Sequence, residues 1–159
     1  MPVNTRIQNA TAAVTLMTTE LNSLAVGTAV ISTVNGTSGV FTSVVGGGTA
    51  NLIGYLFGRY ELVLAAPAVA FTAGAINVWF IETADGTNYE DGAAALIPKR
   101  APDLTFFPQA SISAQRIIVN ALLPVGAFKI LMLPLGLGSG AVLAASGNTL
   151  KVRGHSTQS

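Results

Sequence analysis

Apolar and polar residues alternate in short runs along most of this chain, with the period of two that marks half-buried strands rather than the 3.6-residue period of helices. Thr28 to Val34 and Val40 to Val45 are rich in β-favouring residues. The Asn35-Gly36 dipeptide between them is a strong hairpin signal, because both residues tolerate positive φ. After Gly46-Gly47-Gly48, β character resumes from Leu52 to Leu64, where Tyr60, Leu62 and Leu64 alternate with Glu61 and Val63. Ile76 to Ile81 holds the only tryptophan, Trp79, and leads into an Asp85-Gly86 turn. Residues 89–109 read as a long excursion punctuated by Pro98, Pro102 and Pro108. Gln115 to Leu122 sets Arg116, Ile118 and Asn120 against Ile117, Val119 and Ala121; Phe128 to Leu133 is apolar, and Asn148 to Arg153 is the last strand expected.

One segment has a helical pattern. In Thr18-Thr19-Glu20-Leu21-Asn22-Ser23-Leu24-Ala25 a threonine can cap, Leu21, Leu24 and Ala25 can line one face, and Gly27 can stop the turn. Residues 1–15 are polar and irregular and are expected as an extended N-terminal arm, with 154–159 as a C-terminal tail. Between them, residues 16–153 hold about eight strands separated by Gly/Pro turns, which is the pattern of a mostly β sandwich or jelly roll. No repeat of solenoid or propeller length is present.

Composition sharpens this picture. Half of the 159 residues are apolar and only 9% are charged, against roughly a quarter charged in an ordinary soluble domain. Fifteen charged side chains cannot cover a globule of this size, so apolar surface must be hidden. A membrane span needs roughly 18 consecutive apolar residues, and the best candidate, Ala121 to Ala145, is broken by Pro124, Lys129, Pro134 and several glycines. A basic start followed by an apolar block is missing, so no secretory signal is expected. A permanent oligomer or lattice is the better reading, since obligate interfaces resemble a core cut in half. With no cysteine, disulfides, thiolate chemistry and cysteine-ligated zinc are excluded. A net charge of +1 gives no polybasic surface, so neither nucleic acid nor an anionic membrane is expected as a partner. Near-balanced charge also predicts attachment that depends weakly on salt.

Candidate chemistry is sparse. Asp85-Gly86-Thr87-Asn88-Tyr89-Glu90-Asp91-Gly92 gathers oxygen ligands of the kind Ca²⁺ wants, but the spacing is not that of an EF-hand loop. Two Asp-Gly turns in a polar connection explain it. Glu90 and Asp91 are adjacent, so on a strand they point apart, and nothing ties Glu61 to Glu82 as an acid/base pair. His155 has no evident partner and reads as solvated tail. Gly46-Gly47-Gly48 and Gly136-Leu137-Gly138-Ser139-Gly140 lack the pattern of phosphate loops. Arg59, Arg116, Lys129, Lys151 and Arg153 fall on expected strands and can form a stripe on one face, as solvated positions or as partners across a subunit boundary. No catalytic, cofactor-binding or metal-ligating residue is expected, and no cofactor.

A resemblance rests on Trp79-Phe80-Ile81-Glu82, the segment Asp85 to Gly92, Phe106-Phe107-Pro108, Gln115-Arg116, Pro124-Val125-Gly126-Ala127-Phe128-Lys129 and Ser146-Gly147-Asn148-Thr149-Leu150-Lys151. Together these residues, over roughly 75–153, resemble the jelly-roll head-decoration, or cement, proteins of tailed bacteriophages. The resemblance implies a non-enzymatic homotrimer that assembles in the host cytoplasm and sits on the capsid surface, bridging major capsid protein subunits. It marks no functional residue. The competing reading is a receptor- or carbohydrate-binding sandwich of a phage tail or baseplate, which requires aromatics such as Tyr55, Tyr60, Trp79 or Tyr89 exposed over a groove.

Overall fold

The structure, a computed structural model, describes residues 6–9, 13–33, 41–42, 57–85, 88–90, 96–124 and 126–158. It is mostly β: two antiparallel sheets face each other across one core. In the first, β10 (Thr149–Gln158) lies beside β5 (Phe57–Leu64), and β5 beside β8 (Gln115–Leu122). The other edge of β10 is taken by two short pieces, β1 (Arg6–Asn9) and β2 (Val14–Met17). The second sheet repeats the plan. There β9 (Ala127–Leu135) lies beside β6 (Ala75–Glu82), and β6 beside β7 (Leu104–Phe106). The other edge of β9 takes β3 (Val30–Ile31) and β4 (Phe41–Thr42). Each sheet thus has four lanes, and the chain changes sheet at most connections.

Alternation sets each register. Tyr60, Leu62 and Leu64 of β5 point into the core with Leu150 and Val152 of β10. Ile76, Val78 and Phe80 of β6 meet Phe128, Ile130 and Met132 of β9 and Leu104 and Phe106 of β7. A shift of register between Leu150 and Lys151 lets β2 bury both Leu16 and Met17, as a bulge allows.

Three expectations are corrected. The residues expected as arm and tail pair with each other: Arg6 to Asn9 lie opposite Gln158 to His155. Their polar sequence suits an edge, where backbone pairing needs no apolar face. The Asn35-Gly36 turn lies outside the described residues, but its flanking strands are not hairpin partners. Both β3 and β4 run antiparallel to β9, and therefore in the same direction as each other. A local turn preference yields here to the long edge of β9, which offers backbone partners to both pieces. The expected helix is a single 3₁₀ turn, Thr19–Leu21, with no side-chain cap from Thr18.

Glu20 anchors that turn. Its carboxylate accepts from the backbone N–H of Thr18 and from the N–H and hydroxyl of Thr33, tying the turn to the end of β3. Ser23 then adopts φ 55° and donates its N–H to Ala144 O. Burial raises the pKa of Glu20, but those hydrogen bonds outweigh it and hold the group below its ordinary value of 4.5. The stability it supplies is therefore complete above that ordinary value and is lost as pH falls through the depressed one. Acid titration of the melting temperature should show a shallower acid limb in Glu20→Gln than in the unmodified chain.

Tyr60 is the largest fully buried side chain among the described residues. Its ring lies against Gly58, where a Cβ would stand 2.7 Å from Tyr60 Cε2 and 2.8 Å from Val152 Cγ2. Gly58 is in register with Gly154 and Ala121, so a row of small residues makes room for the ring. The hydroxyl is buried without a hydrogen-bond partner, and burial followed by the charge of Asp103 pushes the phenol far above its ordinary pKa. Removing an unsatisfied buried hydroxyl relieves a desolvation cost of about 1–3 kcal/mol. Tyr60→Phe should therefore melt at or above the unmodified temperature, and a clear drop would show that the hydroxyl has a partner.

Candidate interaction surfaces

β6 and β9 are apolar on both faces. Trp79, Ile81, Leu131 and Leu133 point away from the main core and form a second buried cluster with Ala29 and Tyr89 packed on it. Described parts of the excursion between β6 and β7 reach this cluster at Tyr89 and at Arg100. The Arg100 guanidinium donates to Phe80 O at 2.7 Å, to Asp103 Oδ2 at 2.8 Å and to Glu90 at 3.3–3.4 Å. Asp103 Oδ2 also accepts from Phe80 N at 2.7 Å, and Arg100 O accepts from Trp79 Nε1 at 3.1 Å. Burial lowers the Arg100 pKa and the two carboxylates raise it, with a net rise that fixes the positive charge. Trp79 is thus 4% exposed, under a strap rather than over a groove.

The acidic segment is part of this strap. Thr83 pairs with Tyr89, Glu90 N donates to Glu82 O, and the Asp85 carboxylate accepts from Thr83 Oγ1 and from both nitrogens of Asn88. These are the bonds of a tight reversal. Gly86, Thr87, Asp91 and Gly92 lie outside the described residues, as do Tyr55 and Gly46-Gly47-Gly48. Among the described residues no group of three His, Cys, Asp or Glu side chains is placed to hold a metal ion. Glu61 and Glu82 lie in different sheets, and Glu61 is bonded to Arg116 at 2.9 Å. His155 is not solvated tail: it sits in β10, opposite Phe57, and stacks on that ring at 5.5 Å. The glycines at 136, 138 and 140 have positive φ and shape the β9–β10 connection.

The stripe of cations divides. Lys129 lies on the outer face of the second sheet, 4.5 Å above the Tyr89 ring. The other four share the outer face of the first sheet, where no excursion of the described chain lies. Arg59 stands opposite Arg153, Lys151 opposite Glu61, and Glu61 opposite Ile118, with Arg116 one step along. Ala13, Arg59, Glu61, Ile118, Lys151, Val152 and Arg153 line a shallow cleft of about 290 Å³. The premise of evenly balanced charge therefore fails locally: among the residues whose side chains are described, this face holds four cations and one carboxylate.

A third surface is defined by missing charge. The connections 22–29, 65–74, 107–114 and 136–148 all emerge at one end of the sandwich, and none contains a charged residue. Hydrogen bonds knit them together: Phe71 N to Ser111 O, Thr72 N to Leu137 O, Ser23 N to Ala144 O and Leu143 N to Leu24 O. Buried Asn148 joins the set by accepting from Ala65 N and donating to Ala144 O. Gly74, at φ 132°, has no room for a Cβ beside the Leu135 and Gly136 carbonyls. On this rigid end Phe107 is 69% and Ile112 61% exposed, and Val69, Leu135 and Val142 are exposed too. Sequence reading missed both this end and the Arg100 clamp. The signal for the end was the coincidence of charge-free connections, which becomes visible only once topology shows that they are neighbours.

No helix among the described residues is long and apolar enough to cross a membrane. No family model, curated protein or solved structure matches the chain.

Removing Arg100 leaves the Phe80 carbonyl and the Asp103 carboxylate short of a donor. Arg100→Met should cost about 2–4 kcal/mol and shift Trp79 fluorescence to the red as water reaches the indole. Arg116→Met, which breaks an exposed pair, should cost less than about 1 kcal/mol. Equal costs in chemical denaturation would contradict the clamp.

Proposed function

We propose that this chain is a non-enzymatic structural protein of a phage virion, which decorates and stabilises the capsid as a symmetric homotrimer on the major capsid protein. The observation that carries the reading is the charge-free loop end. Exposed apolar patches of this kind mark interaction sites on soluble folds, and here four connections are hydrogen-bonded into one firm surface that no other part of the described chain covers. A surface meant to dock through shape and apolar area needs rigidity and no chemistry, and that is what the end offers.

The strand order supports the jelly-roll assignment. Numbered by lane, the first sheet runs first, eighth, third, sixth and the second runs second, seventh, fourth, fifth, which is the winding of two Greek keys. Jelly rolls host capsid parts and lectins alike, so the fold alone does not choose between them. The described aromatics of that alternative speak against sugar binding: Tyr60 and Trp79 are buried, and Tyr89 lies beneath Lys129, while Tyr55 lies outside the described residues.

Attachment through this end should be indifferent to salt, since it has no charge to screen. In a decoration assay with capsids stripped of the protein, Phe107→Ser combined with Ile112→Asn should melt as the unmodified chain does, because both side chains are exposed. Its retention on shells should fall by about tenfold or more, each 1.4 kcal/mol of lost contact being a factor of ten. Deleting residues 2–12 removes β1 but keeps β2, so it should change the melting temperature little. Full retention of the double variant, or binding of a cell-surface glycan in place of any shell, contradicts the proposal.

A further inference from the structure

A strand at the edge of a sheet leaves a row of backbone N–H and C=O groups without a strand partner, and natural folds blunt such edges with short strands, proline, bulges or charge. Among the described residues the two sheets have four edges, and three of them are blunted. The β1/β2 edge consists of two four-residue pieces, with a register shift where β2 meets β10. The β3/β4 edge consists of two pieces of two residues each. β7 is three residues long, and Pro102 and Pro108 stand on either side of it.

The fourth edge is β8. It runs for eight residues and pairs with β5 at every position without a shift of register. It contains neither proline nor glycine. Its one charge, Arg116, is bonded to Glu61 of the neighbouring strand at 2.9 Å, so no lone charge guards it. The connection that precedes it is fastened at its first residue, where the Gln109 N–H donates to Gln115 Oε1 and Gln115 Nε2 donates to Gln109 O.

Both faces of β8 are open as well. The inward side chains of β5, β6 and β9 are buried, whereas Ile117, Val119 and Ala121 pack on the core but stay half-buried. On the outer face Ile118 is 44% and Leu122 59% exposed. The strand thus presents free backbone flanked by an apolar row on each side.

We infer that the free edge of β8 pairs with the β8 edge of a second copy, antiparallel, joining the two first sheets into one. A row of backbone donors and acceptors along an edge is met by an extended strand, and β8 is the one free edge of that length among the described residues. The contact is therefore isologous, with the same surface on both copies about a two-fold axis. It is also self-complementary. Ile118 and Leu122 fall on the same face as those of the other copy, and each Arg116 arrives already paired with its own Glu61. A two-fold contact stands beside the proposed trimer and does not rest on it, because it can join single chains or neighbouring trimers.

Mass and backbone protection test the inference together. Light scattering of the full chain at micromolar concentration should give an even number of copies, either a pair of chains or a pair of trimers. Amide hydrogen exchange over 115–122 should slow by about tenfold or more from dilute to concentrated samples. Ile118→Lys and Ile118→Glu alter an exposed side chain, so each should melt close to the unmodified chain. Each alone sets like charges about the axis and should weaken pairing by about tenfold or more, and an equimolar mixture of the two should pair again. One or three copies at every concentration, with β8 exchange indifferent to concentration, overturns the inference and leaves the trimer reading untouched. An even assembly whose β8 amides stay unprotected also overturns it, because the copies then meet elsewhere. Even-numbered assemblies with protected β8 that never bind a shell sustain the inference and overturn only the decoration.

Discussion

Strands with apolar side chains on both faces cannot be left at the surface of a sandwich, and β6 and β9 are such strands. The rest of the design follows from covering them. The excursion between β6 and β7 becomes a strap, and its backbone polar groups must be satisfied over an apolar cluster. Arg100 supplies the bonds that hold it, joining Phe80 O, Asp103 and Glu90 while its own carbonyl takes the Trp79 N–H. Hydrogen bonds from a charged donor in a half-buried setting are stronger than neutral ones, so one side chain can fix a long connection. Among the described residues, the first sheet's outer face and the loop end have no such strap over them.

The scarcity of charge is resolved by distribution. Five of the charged residues lie on the first sheet's outer face, and the end formed by four connections has none. Hydrophobic and polar contacts are thereby assigned to different directions in space. An apolar contact at such an end has no charge for salt to screen.

Much of the fold was legible because strand alternation is a local property. Arg116, Ile118 and Asn120 against Ile117, Val119 and Ala121 gave the register of β8 directly, and Tyr60, Leu62 and Leu64 gave that of β5. What was not legible depends on pairing at a distance. Asn35-Gly36 favours a reversal, yet β3 and β4 follow the edge of β9 in one direction. His155 and Arg6 look like parts of two loose ends until β1 is seen beside β10. Thr18 has the chemistry of a cap, yet its side chain makes no cap bond, and the Leu21 N–H donates to the Thr18 carbonyl. The surfaces were legible only as an imbalance: composition required hidden apolar area, while its location needed the topology that brings four charge-free connections together. Arg100 stood between two prolines in an excursion with no periodicity to reveal its role.

The orientation of the sandwich on a decorated shell tests the central claim most directly. A reconstruction of capsids carrying this protein should place the connections 65–74, 107–114 and 136–148 against the shell, with Phe107 and Ile112 at the contact. A reconstruction with that end facing solvent, and a charged face of the sandwich against the shell, would contradict the account.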